Sequence, residues 1–205
     1  MPDPKESDGE LVPSKSGELI RRMDQRVELA NRVVVEIQAK QDLKRIDVEV
    51  AQRFLEDRNS VDLSEYRLLD DDAAKVFANW YKSAAELIDI ILPAPLHLGG
   101  IAEFSDAALE FLAEYSGTLL LGGLTDLSDA AAVALSKHAR LLVLGGLTKL
   151  SDAAAESLAK HEGPLELNGL TGLSDTAAES LAKHRSNLEL NGLTGLSDTA
   201  AESLA

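Results

Sequence analysis

The stretch LELNGLTGLSDTAAESLAKHRSN, residues 165–187, is followed at once by LELNGLTGLSDTAAESLA, residues 188–205, and the two agree at every position of the shorter one. Upstream the same grammar recurs with more substitutions. LHLGG begins at Leu96, LLLGG at Leu119 and LVLGG at Leu142, so every start lies 23 residues after the last. A Ser-Asp pair keeps the step at Ser105-Asp106, Ser128-Asp129, Ser151-Asp152, Ser174-Asp175 and Ser197-Asp198. Self-similarity at a fixed period is the signature of a repeat architecture, in which each unit buries its apolar face only against its neighbours.

One unit shows the physics. Leu-x-Leu has period two, so Leu142 and Leu144 point inward and Val143 outward. Gly146 gives the backbone freedom to turn, and Leu147 and Leu150 return to the core. Ser151 is placed to cap a helix and Asp152 to put an anion in its first turn. Ala155 and Leu158 face the strand, and Ala154 is small enough for neighbouring helices to approach. Lys160 and His161 fall at the helix C-terminus, where positive charge is favoured. Stacked units of this kind form an α/β solenoid, with parallel strands on one face and helices on the other.

On these residues the region 96–205 resembles a leucine-rich repeat, and LELNGLTGLSDTAAESLA is similar to the cysteine-containing subclass. Leu170 stands where that subclass has Cys, Leu173 where it has Ile, and Ser174-Asp175 where it has Thr-Asp. The 23-residue unit is shorter than that subclass, and the cysteine is missing. The resemblance therefore implies a short bacterial-type variant rather than a eukaryotic ubiquitin-ligase substrate receptor. It also implies protein–protein recognition, the usual use of this fold.

Ahead of the repeats, Val61–Trp80 aligns without gaps on Leu142–His161, with glycine lost and aromatics gained. This reads as a degenerate capping repeat whose helix continues to about Leu92, ahead of Pro93 and Pro95. All eight aromatic residues lie between Phe54 and Tyr115, as apolar bulk for a cap requires. Further upstream, Ile20, Met23, Val27, Ala30, Val34 and Ile37 alternate steps of three and four. That is a coiled-coil-like seam, and it breaks at Gln41 and Lys44. The segment reads either as one or two amphipathic helices packed on the chain, or as a helix for weak self-association through residues 17–57. Residues 1–16, rich in Pro, Asp, Glu and Ser, read as a disordered tail. The expected organisation is thus a tail (1–16), an amphipathic helical segment (17–58), an N-terminal cap (59–95) and five repeats (96–205), the last truncated. The uncapped final repeat leads to the expectation that the chain is part of a longer repeat protein.

Composition narrows the function. The chain of 205 residues carries 20 basic and 35 acidic residues, a formal net charge of −15. Nucleic acid and anionic membranes are poor partners for it, because phosphate contacts need clustered Lys and Arg. With no cysteine, disulfides, thiol catalysis and zinc–cysteine sites are excluded. No run of about 20 apolar residues and no signal peptide is visible, so the expected location is cytoplasmic. The column His138, His161, His184 reads as a helix-end residue copied by repetition, and the Asp column as a helix-dipole device. The paired glycines match no phosphate-binding loop. No catalytic, cofactor or metal site is expected, and the chain is not expected to be an enzyme.

What remains is the outward face of the sheet. Its expected protein-binding residues are His97, Leu120, Leu141, Val143, Glu166 and Glu189, apolar at one end and acidic at the other. Leu120 and Val143 read either as the core of an interface or simply as strand formers. The expected function is a protein–protein interaction scaffold with an unidentified protein partner. The alternatives are a structural or oligomerisation module, or the regulatory arm of an enzyme whose catalytic domain lies beyond residue 205.

Overall fold

The computed structural model describes residues 21–33, 43–85 and 94–205, in two compact units, Met1–Leu43 and Lys44–Ala205. In the first unit, residues 21–33 form helix α1, exposed along its whole length. The tail 1–16 and the seam residues Ile20, Val34 and Ile37 lie outside the described residues. Among the described residues no helix is long and apolar enough to cross a membrane.

The second unit opens with strand β1 (Arg45–Ile46) and helix α2 (Val48–Glu56). A 3-10 turn (Leu63–Glu65), strand β2 (Leu68–Leu69) and helix α3 (Asp71–Ala85) follow. The segment 17–58, expected to be helical throughout, therefore contains a strand. Where the seam breaks, β1 pairs in parallel with β2, and α2 packs on α3 as part of the cap. Both α2 and β1 begin 23 residues before α3 and β2, so the repeat step reaches one unit further upstream than the leucine pattern does. Asp47 serves α2 as the serines serve later helices, its side chain accepting from Val50 N–H at 2.9 Å.

The five regular units then run β3 (Leu96–His97), α4 (Asp106–Ala113), β4 (Leu119–Leu120), α5 (Asp129–Leu135), β5 (Leu142–Val143), α6 (Asp152–Leu158), β6 (Leu165–Glu166), α7 (Asp175–Leu181), β7 (Leu188–Glu189) and α8 (Asp198–Leu204). The strands form one parallel sheet in chain order, β3-β4-β5-β6-β7, and equivalent residues of successive units pair directly. This is the α/β solenoid that the period requires. In the third unit Leu142, Leu144, Leu147, Ala154, Ala155 and Leu158 are all fully buried. Each leucine so buried is worth about 1.5–3 kcal/mol before ordering costs. Leu188, Leu190 and Leu193, their counterparts on the last strand, are only partly buried.

Two sets of contacts join each unit to the one before it. The first is a hydroxyl–carboxylate ladder. Ser128 Oγ accepts from Ala131 N–H at 3.0 Å, capping α5, and donates to Asp106 of the preceding unit at 2.6 Å. Ser151 repeats both contacts with Ala154 and Asp129, and Ser174 and Ser197 continue the ladder to Asp152 and Asp175. It begins in the cap, where Ser105 donates to Asp71. One hydroxyl thus uses its proton and a lone pair at once, and the Asp column links repeats as well as matching the helix dipole.

The second set involves glycine, and it corrects the expectation of a sharp turn. No glycine among the described residues has positive φ. A Cβ on Gly146 would instead lie 2.5 Å from the Gly122 carbonyl oxygen and 2.6 Å from that of Leu124. Gly123, Gly169 and Gly192 are confined in the same way, each by the backbone of the unit before it. At Gly100 the confining carbonyls are those of Ser64 and Tyr66. These are the residues that the gap-free alignment of 61–80 places there, so the cap copies the repeat's loop. It does not copy the strand. Val61 and Leu63 are buried without pairing to β3, and the Arg58 guanidinium takes the Pro95 carbonyl at 3.2 Å. The helix α3 ends at Ala85, and the expected continuation to Leu92 lies outside the described residues.

The glycine pair separates conformational from steric roles. Gly146→Ala should destabilise the protein by about 2–3 kcal/mol or more, as forced overpacking does. Gly145→Ala, where a Cβ meets nothing within 4 Å, should cost no more than about 0.5 kcal/mol. Urea denaturation of the two single variants measures both.

Candidate functional site

The sheet alternates as its leucines require. Leu96, Leu98, Leu119, Leu121, Leu142 and Leu144 are buried, while His97 is exposed and Leu120, Val143, Glu166 and Glu189 are half-buried on the opposite face. The register lines these five side chains into one row across the strands: His97↔Leu120, Leu120↔Val143, Val143↔Glu166 and Glu166↔Glu189. Leu141 precedes β5 and is half-buried, and its carbonyl accepts from Leu119 N–H.

A groove of about 630 Å³ occupies the apolar end of this row. The sheet supplies His97, Leu120 and Val143, and the cap supplies Phe54, Val61 and Leu63 with the polar side chains of Arg58, Asp62 and Ser64 among them. Leu141 does not line it. The cap side was not expected from the sequence, because Val61 and Leu63 sit at interior leucine positions of the alignment. They become groove-lining because the cap has no strand there. Arg58 is held in place twice, with its guanidinium 5.3 Å from the centre of the Phe54 ring and donating to Pro95. Phe54 in turn packs edge-on against Phe77, ring centres 6.1 Å apart.

At the other end of the row Glu166 and Glu189 are direct partners on neighbouring strands. Glu189 receives only amides, from Asn168 at 3.4 Å, Asn187 at 3.3 Å and Asn191 at 3.4 Å. Among the described residues neither carboxylate has a salt bridge to Lys, Arg or His. The arrangement offers an apolar groove and, one strand further on, two uncompensated negative charges. Within the groove the Ser64 hydroxyl donates to the Asp62 carboxylate at 2.6 Å, and among the described residues no group of three or more His, Asp or Glu side chains is placed to hold a metal.

The histidine column belongs to the interior and not to this face. His138 and His161 are 1 % exposed, and the rings of His138, His161 and His184 stack with centres 6.1 Å apart. His138 Nδ1 faces the carbonyl of Ala113, the last residue of α4, at 3.3 Å. The carbonyls of Arg140, Pro164 and Ser136 lie around His161, and Lys160, Glu162, Lys183 and Arg185 line a cavity beside it. The expectation of a cation at the helix end is therefore corrected for His161, which is buried, while Lys160 is exposed there. Burial pushes the pKa of both His138 and His161 below the ordinary 6.5, against the pull of the backbone carbonyls.

Comparison with protein-family models, with curated proteins and with solved structures gives no match to this chain. The class that fold and site define is an α/β repeat solenoid with a grooved, charge-graded sheet face.

The buried imidazoles make stability depend on pH with a definite sign. Their folded pKa values are lowered, so the unfolded chain takes up protons first as pH falls. Stability should be full above about pH 7 and decline as pH falls through 6.5 toward 5. Urea midpoints measured at pH 7.5 and 5.5 should differ, and the His138→Leu/His161→Leu double variant should show a smaller difference.

Proposed function

We propose that the chain is a protein-binding scaffold of the leucine-rich-repeat type whose partner docks on the outward sheet face. The observation that carries this reading is the groove, which joins Leu120 and Val143 to apolar cap residues. A strand former on a solvated face needs no such neighbour, whereas an interface core needs clustered, partly desolvated apolar groups. A non-catalytic role and a cytoplasmic location form part of this reading, in keeping with the acidic, cysteine-free composition. No aromatic or Arg residue stands in the outward row itself, so affinity should be on the order of micromolar.

The Leu120→Asp/Val143→Asp double variant tests the reading. Both side chains point away from the core, so circular dichroism and thermal unfolding should stay close to those of the parent chain. Proteins captured by the full-length parent from lysate should be missing from the variant's eluate, as read by quantitative mass spectrometry. A folded variant that still captures them places recognition elsewhere.

A second reading has one observation in its favour. Helix α1 exposes Met23 by 60 %, Val27 by 59 % and Leu29 by 62 %, more apolar surface than a lone solvated helix needs. Weak self-association through this helix would cover it. The Met23→Glu/Val27→Glu variant should then sediment as a monomer at concentrations where the parent chain shows a rising average mass.

A further inference from the structure

We infer that the segment bound on the sheet face is amphipathic end to end, apolar where it enters the groove and bearing lysine or arginine where it crosses Glu166 and Glu189. This rests on the reading of the face as a binding surface and adds the chemistry and direction of what it binds.

The first argument is the cost of the acidic pair. Like charges directly opposite on neighbouring strands are unfavourable, and Glu166 and Glu189 are in that relation. Both are half-buried, which weakens the screening that water gives them. The amides of Asn168, Asn187 and Asn191 solvate Glu189 but carry no charge. A cationic side chain laid over the two carboxylates removes the repulsion and gains charge-assisted hydrogen bonds. Binding is thus driven partly by relief of a cost carried by the free protein.

The second argument fixes direction. The groove end holds charges of both signs, the Arg58 guanidinium against Phe54 and Pro95 and the Asp62 carboxylate, which accepts from Ser64. A partner's basic group meets balanced charge there and two like carboxylates at Glu166 and Glu189, so the orientation that lays the basic end over the carboxylates is favoured. Strands lie about 4.8 Å apart, which puts Glu166 about 10 Å and Glu189 about 14 Å from Leu120 along the row. In an extended segment that is about three to four residues between the apolar anchor and the basic one. The net charge of −15 adds long-range attraction for such a partner, and this attraction weakens with salt.

A random dodecapeptide display library, panned against the immobilised full-length chain, tests this. Recovered peptides should share an apolar residue with Lys or Arg about three to four positions away. The Glu166→Gln/Glu189→Gln variant should bind a recovered peptide about tenfold more weakly and unfold at the same or a higher temperature, since the change relieves repulsion. The Glu166→Lys/Glu189→Lys variant should enrich Asp and Glu in place of the basic residue. Peptides that need Leu120 and Val143 but show no basic bias would overturn this inference and leave the binding face standing. A library that yields no peptide dependent on Leu120 and Val143 would overturn both.

Discussion

The spacing of the repeats depends on a contact that leaves no room for a methyl group. Where each loop leaves its strand, the backbone of one unit rests on two carbonyl oxygens of the unit before, so close that a Cβ would come within 2.1–2.6 Å of the nearest one. Only glycine permits this at 100, 123, 146, 169 and 192. Strand pairing sets the same step on one side of the stack. The Ser–Asp ladder sets it at the helix starts, and near the helix ends the rings of His138, His161 and His184 stack one unit apart, with His138 reaching back to the Ala113 carbonyl. A unit is thus held at four levels, always to its predecessor, and stability accumulates along one dimension.

This explains why the 23-residue period is strict. An inserted residue at any level would move three other contacts out of register at once. It also explains what the cap must supply. Residues 58–71 provide three predecessor contacts by other means: the Ser64 and Tyr66 carbonyls for Gly100, the Asp71 carboxylate for Ser105, and the Arg58 guanidinium in place of strand pairing at Pro95. At the histidine level Tyr115 stands one step before His138, with its hydroxyl on the Ala94 carbonyl at 2.6 Å. The cap thus imitates the edge of a repeat with a degenerate version of its sequence.

Much of this was legible in the residues, and the exceptions have physical reasons. The inward leucines, the serine caps and the alignment of Asp71 on Asp152 follow from periodicity, because each is a local rule repeated. The strand at Arg45–Ile46 was hidden, since two residues carry almost no pattern and the surrounding apolar spacing reads as helix. The glycine role is not legible, because a residue without Cβ serves turning and close approach equally well, and only the neighbour's position decides between them. The burial of His161 is not legible for a similar reason: a polar residue at a helix end looks solvated until the next unit covers it. The outward row was readable as a row, but its groove was not, because the second half comes from cap residues placed by the loss of a strand.

The division of labour among positions bears on function. The recurring residues of the unit are committed to the stack: leucines and buried alanines to the core, glycine to close approach, serine and aspartate to the ladder, histidine to the helix end. The outward residue of Leu-x-Leu is bound by none of these, and it runs from His through Leu and Val to Glu while its flanking leucines never change. Glu189 accompanies Glu166 because the last two repeats are identical at every shared position, and the register then sets the two like charges opposite each other. The two carboxylates begin one strand beyond the groove lined by Leu120 and Val143, so the face on which the stack makes least demand carries its apolar and its acidic groups side by side.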